Sequence, residues 1–251
     1  MRTEAAALEL VPELAPEPAH GLGPVTGRDI ETRPQVPPDV RADPDLDPNL
    51  GDLRFRALLR ERDWASLPAA IRRRFSKRLP SGGSTVYAGE VLETRMSFPG
   101  WLLAQALRPI GGPLPTTRCA HLPSIVTVTE DKASGGQIWT RIYARRKGFP
   151  QVVHSAKRFA GPSGLEEYVG HGVGMSLDLL VRDGALIFRS RNYFLQVLGR
   201  RFVLPAWLCP GELTVIHAEV PDGRFSFTLQ LVHPRLGLVL RQMALYRELA
   251  S

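Results

Sequence analysis

The sequence holds only two cysteines, Cys119 and Cys209, and no run of 18 uncharged apolar residues. Two thiols make neither a disulfide framework nor a metal set. The absence of a long apolar run excludes a membrane-spanning helix. No GxSxG occurs, no GxGxxG follows a strand, and the pairs Gly82-Gly83 and Gly111-Gly112 lack the Lys and Ser/Thr that follow in a phosphate loop. His121, His154, His171, His217 and His233 form no i, i+4 pair and no HxH, so a metal site would need an accident of strand register, with Asp178 or Glu219 joining. Neither a metal nor a cofactor is expected. Cys209, between Leu208 and Pro210, lies in an apolar setting that makes a thiol inert, while Cys119 follows Arg118 and precedes His121, a more activating neighbourhood. The start, Met1-Arg2-Thr3-Glu4, puts an acid where a signal peptide needs a basic region, and the segment is too acidic for a mitochondrial presequence. A cytoplasmic location is expected.

What is present is unevenly distributed. Residues 1–50 hold nine of the 22 prolines and ten acids against four arginines, a net charge of −6. The remaining 28 basic and 15 acidic residues give +13 over 51–251, so the overall +7 hides an acidic tail on a basic domain. Prolines remove donors and restrict their neighbours, and acids oppose compaction, so 1–50 reads as a disordered acidic, Pro-rich tail. The chain is 43% hydrophobic, enough for a core, and 51–251 reads as a single α+β domain. Its charge suits an anionic small molecule or weak contact with an anionic membrane surface, unless the tail neutralises it. Nucleic-acid binding is not expected, because no recognition motif is present and the tail would compete.

Order is expected from Asp52, an N-cap candidate before Phe55, Leu58 and Leu59 at helical spacing. A second helix starts near Pro68, with Ile71 and Phe75 on one face and Arg72, Arg73, Arg74, Lys77 and Arg78 crowding the rest of its surface. A third, Phe98 to Leu107, is apolar around most of its circumference and is expected to be buried, with Trp101 at its centre. From Ser124 the period is two. The runs Ile125–Glu130, Ile138–Arg145, Gln151–Phe159, Leu165–Gly170, Gly174–Val181, Leu186–Val197, Leu213–Val220, Phe225–Val232 and Gly237–Tyr246 read as strands, after an earlier one through Tyr87 and Val91. Asp183-Gly184 and Pro221-Asp222-Gly223 are hairpin turns, and such short connectors permit only antiparallel neighbours. The expected fold is a large curved antiparallel β-sheet, a meander forming an open or half barrel, with two or three N-terminal helices packed on it.

Several motifs carry a family resemblance: Arg54-Phe55-Arg56-Ala57-Leu58-Leu59, Trp64-x-x-Leu67-Pro68-x-x-Ile71-Arg72, Gly136-x-x-Trp139-x-Arg141-x-Tyr143 and Glu167-Tyr168-x-Gly170. Leu198-Gly199, Leu204-Pro205, Trp207-Leu208 and Asp222-Gly223-Arg224-Phe225 follow in order, then His233-Pro234 and Gly237-Leu238. Over roughly Leu53 to Leu245 the chain resembles the bacterial domain-of-unknown-function family numbered 4166. The resemblance implies one domain and, because that family is often fused to reductase-like domains, a reductase partner. It implies no established reaction.

The candidate site lies on alternating strand residues. Trp139, Arg141 and Tyr143 share one face of a strand, and Arg189, Arg191 and Tyr193 share one face of another. An arginine among aromatic rings can grip a carboxylate while the rings cover an apolar body. The alternative is a solvated outer face with snorkelling arginines. A desolvated Arg141 needs a resident anion, and Glu167 is the expected one. His233, before Pro234, is expected to hydrogen-bond a turn. Taken together, these residues fit binding of an apolar or amphipathic small molecule, lipid- or isoprenoid-like, on a concave sheet. The alternatives are an isomerase, cyclase or hydrolase using the same pocket, and an interaction module for a reductase partner.

Overall fold

The computed structural model describes residues 51–77, 79, 83–118 and 120–249. The acidic tail, Arg78 and Cys119 lie outside them. Three short helices, α1 (Arg54–Ala57), α2 (Glu61–Ser66) and α3 (Ala69–Ser76), precede β1 (Ser84–Met96), and α4 (Phe98–Ala106) follows it. The rest is strand: β2 (Leu122–Asp131), β3 (Gly136–Tyr143), β4 (Gln151–Arg158), β5 (Glu166–Gly170), β6 (Val173–Arg182), β7 (Ala185–Val197), β8 (Arg200–Val203), β9 (Glu212–Val220), β10 (Arg224–His233) and β11 (Gly237–Glu248).

All pairings are antiparallel, and β1 bonds to both β2 and β11. The sheet is closed, which corrects the expected open or half barrel. β6 pairs with β7 along its whole length, and ten strands run β1 to β7, then β9, β10 and β11 back to β1. Closure removes the unpaired edges that an open sheet of this size would expose. β8 was not expected from the sequence. It pairs only with the second half of β7, Phe194–Val197, whose first half holds β9 through Leu186–Arg189. At the hairpin turns Asp183-Gly184 and Pro221-Asp222-Gly223 the backbone is left-handed, with φ +50° at Asp183 and +67° at Asp222, each followed by a glycine.

Antiparallel alternation defines two ends. At one, α1–α3 close the mouth. Phe55 packs edge-on against Phe75 and Phe159, and Phe75 meets Phe188 of β7. Asp52 does not cap by itself: Leu53 is the N-cap, and the buried Asp52 carboxylate accepts the Arg54 backbone N–H and pairs with its guanidinium at 2.6 Å. Ile71 and Phe75 are buried as their spacing required, with Pro68 as the N-cap of α3. α2 had no reading in the sequence.

At the other end sit α4 and the loops β3–β4, β5–β6, β7–β8–β9 and β10–β11. Ser97 caps α4 by accepting the Gly100 N–H at 3.2 Å and donating to the Val239 carbonyl of β11. Only Gly100 and Ala104 of α4 are buried. A Cβ at Gly100 would collide with the Val239 carbonyl, so the helix seats on β11 by its smallest residues. The expected burial of Trp101 is therefore wrong: it is 43% exposed, beside the exposed Phe98 and Leu102. Among the described residues, no helix is long and apolar enough to cross a membrane.

Candidate site inside the barrel

Alternation in β3 sends Gln137, Trp139, Arg141 and Tyr143 to the interior, all buried, while Ile138 and Ile142 face outward. β4 adds Val153, Ser155 and Lys157 on the same side, and Lys157 stands opposite Glu167 in the β4–β5 register. Arg141 donates to Ser155 Oγ at 3.1 Å and lies 3.9 Å from Glu167, while Lys157 Nζ is closer, 3.0 Å from the same carboxylate. The Arg141–Glu167 pairing thus exists, but loosely and shared. Both cations also face rings, Arg141 over Trp139 and Phe227, and Lys157 over Trp139 and Phe188.

Electrostatically the cluster is lopsided: two buried cations share one buried carboxylate. Burial lowers the Lys157 pKa, with Glu167 opposing and Arg141 adding to the shift. For Glu167, burial alone would raise the pKa, but Lys157 and Arg141 reverse it, and the group is held below the ordinary carboxylate range. Arg141 Nε is buried and has no hydrogen-bond partner among the described residues.

A second polar group enters from α3. Arg74 does not join the surface crowd expected for it. Its side chain is 8% exposed and lies 4.0 Å over the Phe225 ring. Its Nη1 is 2.9 Å from His217 Nε2, and both terminal nitrogens are 3.4 Å from Glu219. A guanidinium only donates, so His217 Nε2 accepts and the ring is the neutral Nδ1–H tautomer. Burial and then Arg74 push its pKa well below 6.5, in agreement. The His217 ring stacks on Phe225 with centroids 4.5 Å apart. Arg74 Nε and His217 Nδ1 are buried without hydrogen-bond partners among the described residues. Between the two groups lies a cavity of about 10 Å³ bordered by Arg74, Arg141, Trp139, His217 and Tyr246, and a second of about 20 Å³ shares Arg74, Tyr87 and Trp139 with it and is also bordered by Lys77 and Leu79. Each holds one water at most, so the interior is filled by side chains.

The other predicted stripe does not form. β7 carries a bulge: Ser176 faces Asn192 and Leu177 faces Ser190, which leaves Arg191 without a partner in the ladder. The extra residue flips the alternation. Arg189 and Arg191 point outward, 4.0 and 3.9 Å from Asp178, whereas Tyr193 turns inward and donates to the Gly211 carbonyl. Burial pushes the Tyr193 pKa up. His233 accepts the backbone N–H groups of Arg235 and Leu236, the turn role read from the sequence. Burial raises the Cys209 thiol. Arg74, Lys157 and His217 were missed as members of the site. For Lys157 and His217 a signal was available, since Val153 stands at even spacing before Lys157, and Leu213 and Val215 at even spacing before His217.

Residues 67–245 match the model of the domain of unknown function (DUF4166). The chain belongs to this family. No curated protein matches it. Among solved structures, a mutant of the fluorescent protein UnaG aligns at 12% identity over 66% of this chain and 95% of that one, with a TM-score of 0.29.

Proposed function

We propose that the barrel binds a small apolar or amphipathic molecule carrying an acidic group, with the anion between Arg141 and Arg74. The observation that carries this reading is the buried excess of positive charge around Glu167, combined with the Nε donors of Arg141 and Arg74, which find no acceptor among the described residues. A buried cation without a full counter-charge is costly, and a ligand carboxylate or phosphate supplies both the charge and the acceptors. Trp139, Phe225, Phe227 and Tyr246 offer the apolar body its wall. The small cavities require Arg74 to swing away as the ligand enters, on the side of the second cavity, which Lys77 and Leu79 border. Native mass spectrometry of freshly purified protein is the test. A bound acidic species in the wild type, absent in Arg141→Leu of unchanged melting temperature, supports the reading. Retention of the ligand in a destabilised variant makes Arg141 a structural strut.

A second reading draws on the filled interior. A barrel without room for a ligand acts through its surface, as an interaction module, and a reductase is the partner that the family's fusions suggest. Native spectra free of any ligand, with Arg141→Leu as stable as the wild type, would favour it.

A further inference from the structure

Large apolar side chains that stay exposed are not scattered over this barrel. Among the described residues, thirteen of the fifteen lie in α4, in the loops of the same end, or on the strand tips beside them. Leu198 is 97% exposed, Phe149 91% and Trp207 79%. At the helix-closed end, Leu249 is the sole counterpart among the described residues. The five connections at the apolar end (97–121, 144–150, 171–172, 198–211 and 234–236) contain eight Arg and Lys and not one Asp or Glu. Arg108, Arg118, Arg146, Lys147, Arg200 and Arg235 are exposed there.

The hairpin tip adds an independent sign. Leu198 has φ +49° and Gly199 φ +75°. Two-residue turns of this kind favour Asn or Asp at the first position, and a branched apolar side chain there is strained. A leucine held in that conformation and 97% exposed serves neither turn formation nor solubility. Strain of this sort concentrates at functional tips.

We propose that this end of the barrel docks on an anionic phospholipid surface, with Leu198, Trp101 and Trp207 entering the boundary between headgroups and acyl chains and the surrounding arginines meeting lipid phosphates. Aromatic and aliphatic tips on separate loops, ringed by cations without acids, match the chemistry of that interface. A protein interface would instead deplete charge at its apolar centre. The proposal does not depend on what the interior binds.

The test is flotation of the full chain with phosphatidylcholine vesicles with and without phosphatidylserine, with tryptophan emission as a second readout. Trp64 and Trp139 are buried, so a blue shift on binding reports Trp101 and Trp207. Binding to the phosphatidylserine vesicles that persists in part at physiological ionic strength is expected. The double change Leu198→Ser, Trp207→Ser should weaken it about tenfold or more at unchanged melting temperature, as lost apolar insertion. Arg146→Glu with Lys147→Glu should remove the preference for phosphatidylserine. Absence of vesicle binding, binding untouched by the Leu198/Trp207 change, or complete loss at physiological salt would overturn the proposal. So would a dimer in light scattering that the same change disperses, because the patch would then join two copies of this chain.

Discussion

Replacing Glu167 with glutamine keeps the shape of the side chain and removes the carboxylate that Lys157 holds at 3.0 Å and Arg141 at 3.9 Å. The fold is left with two buried like charges and a neutral amide. Breaking a buried pair from one side costs about 3–5 kcal/mol, and here the repulsion between Lys157 and Arg141 goes unopposed. At about 2–4 °C per kcal/mol for a domain of this size, the melting temperature should fall by roughly 10 °C. The loss should shrink as pH rises. Lys157 in the folded state already titrates below its unfolded value, and removing Glu167 lowers it further. Between the two values the unfolded chain binds more protons, so stability increases with pH there. Arg141→Leu is the control. It leaves Lys157 and Glu167 as a one-to-one pair and removes the surplus buried charge, so it should cost less than Glu167→Gln. Urea denaturation of both variants at neutral and alkaline pH makes the comparison. Equal losses in the two, or a Glu167→Gln protein as stable as the wild type, would refute the charge imbalance.

His217→Phe should retain the stack on Phe225 while removing an acid-sensitive group. Because burial holds the His217 pKa well below 6.5, the unfolded chain takes up a proton near pH 6.5 before the folded one does, and stability contributed by the neutral ring is lost as pH falls below that value. The melting temperature of the variant should therefore depend less on pH between about 6.5 and 5 than that of the wild type. Gly89→Val addresses closure of the barrel: a Cβ at Gly89 would overlap the Leu245 carbonyl of β11, which cannot move without breaking the β1–β11 ladder. A cost of about 1–3 kcal/mol or more is expected in urea denaturation, and an unchanged midpoint would show that β1 and β11 are not so closely apposed.

Nearly every strand from Ile125 onward was legible because a barrel wall buries one side of each strand and the period of two survives in the sequence. Closure was not. It depends on β6 meeting β7 at the same time as β1 meets β11, a long-range match that no local pattern encodes. β8 escaped because all four of its residues are exposed, so it has no buried face to mark it. The orientation of α4 escaped for a related reason. Its apolar residues run round the circumference, and the choice between burying Trp101 and burying Gly100 was made by the approach of β11.

The site divides along the same line. Trp139, Arg141 and Glu167 were legible because β3 alternates strictly and β3, β4 and β5 keep regular register where they meet. Arg189 and Tyr193 do not share a face, because one bulged residue reverses every face beyond it, and the sequence Arg189-Ser190-Arg191-Asn192-Tyr193 contains no glycine or proline to mark the bulge. Arg74 was lost among the run Arg72-Arg73-Arg74, which looks like a solvated helix face. What singles it out is tertiary: Phe75 docks between Phe188 and His217, and that docking turns the neighbouring arginine into the barrel, where the Phe225 ring and His217 Nε2 receive it. The cationic interior is thus built from two different sources, strands in alternation and one helix by insertion. Arg74 is carried by a short helix rather than by the hydrogen-bonded wall, so its side chain can move without breaking the sheet.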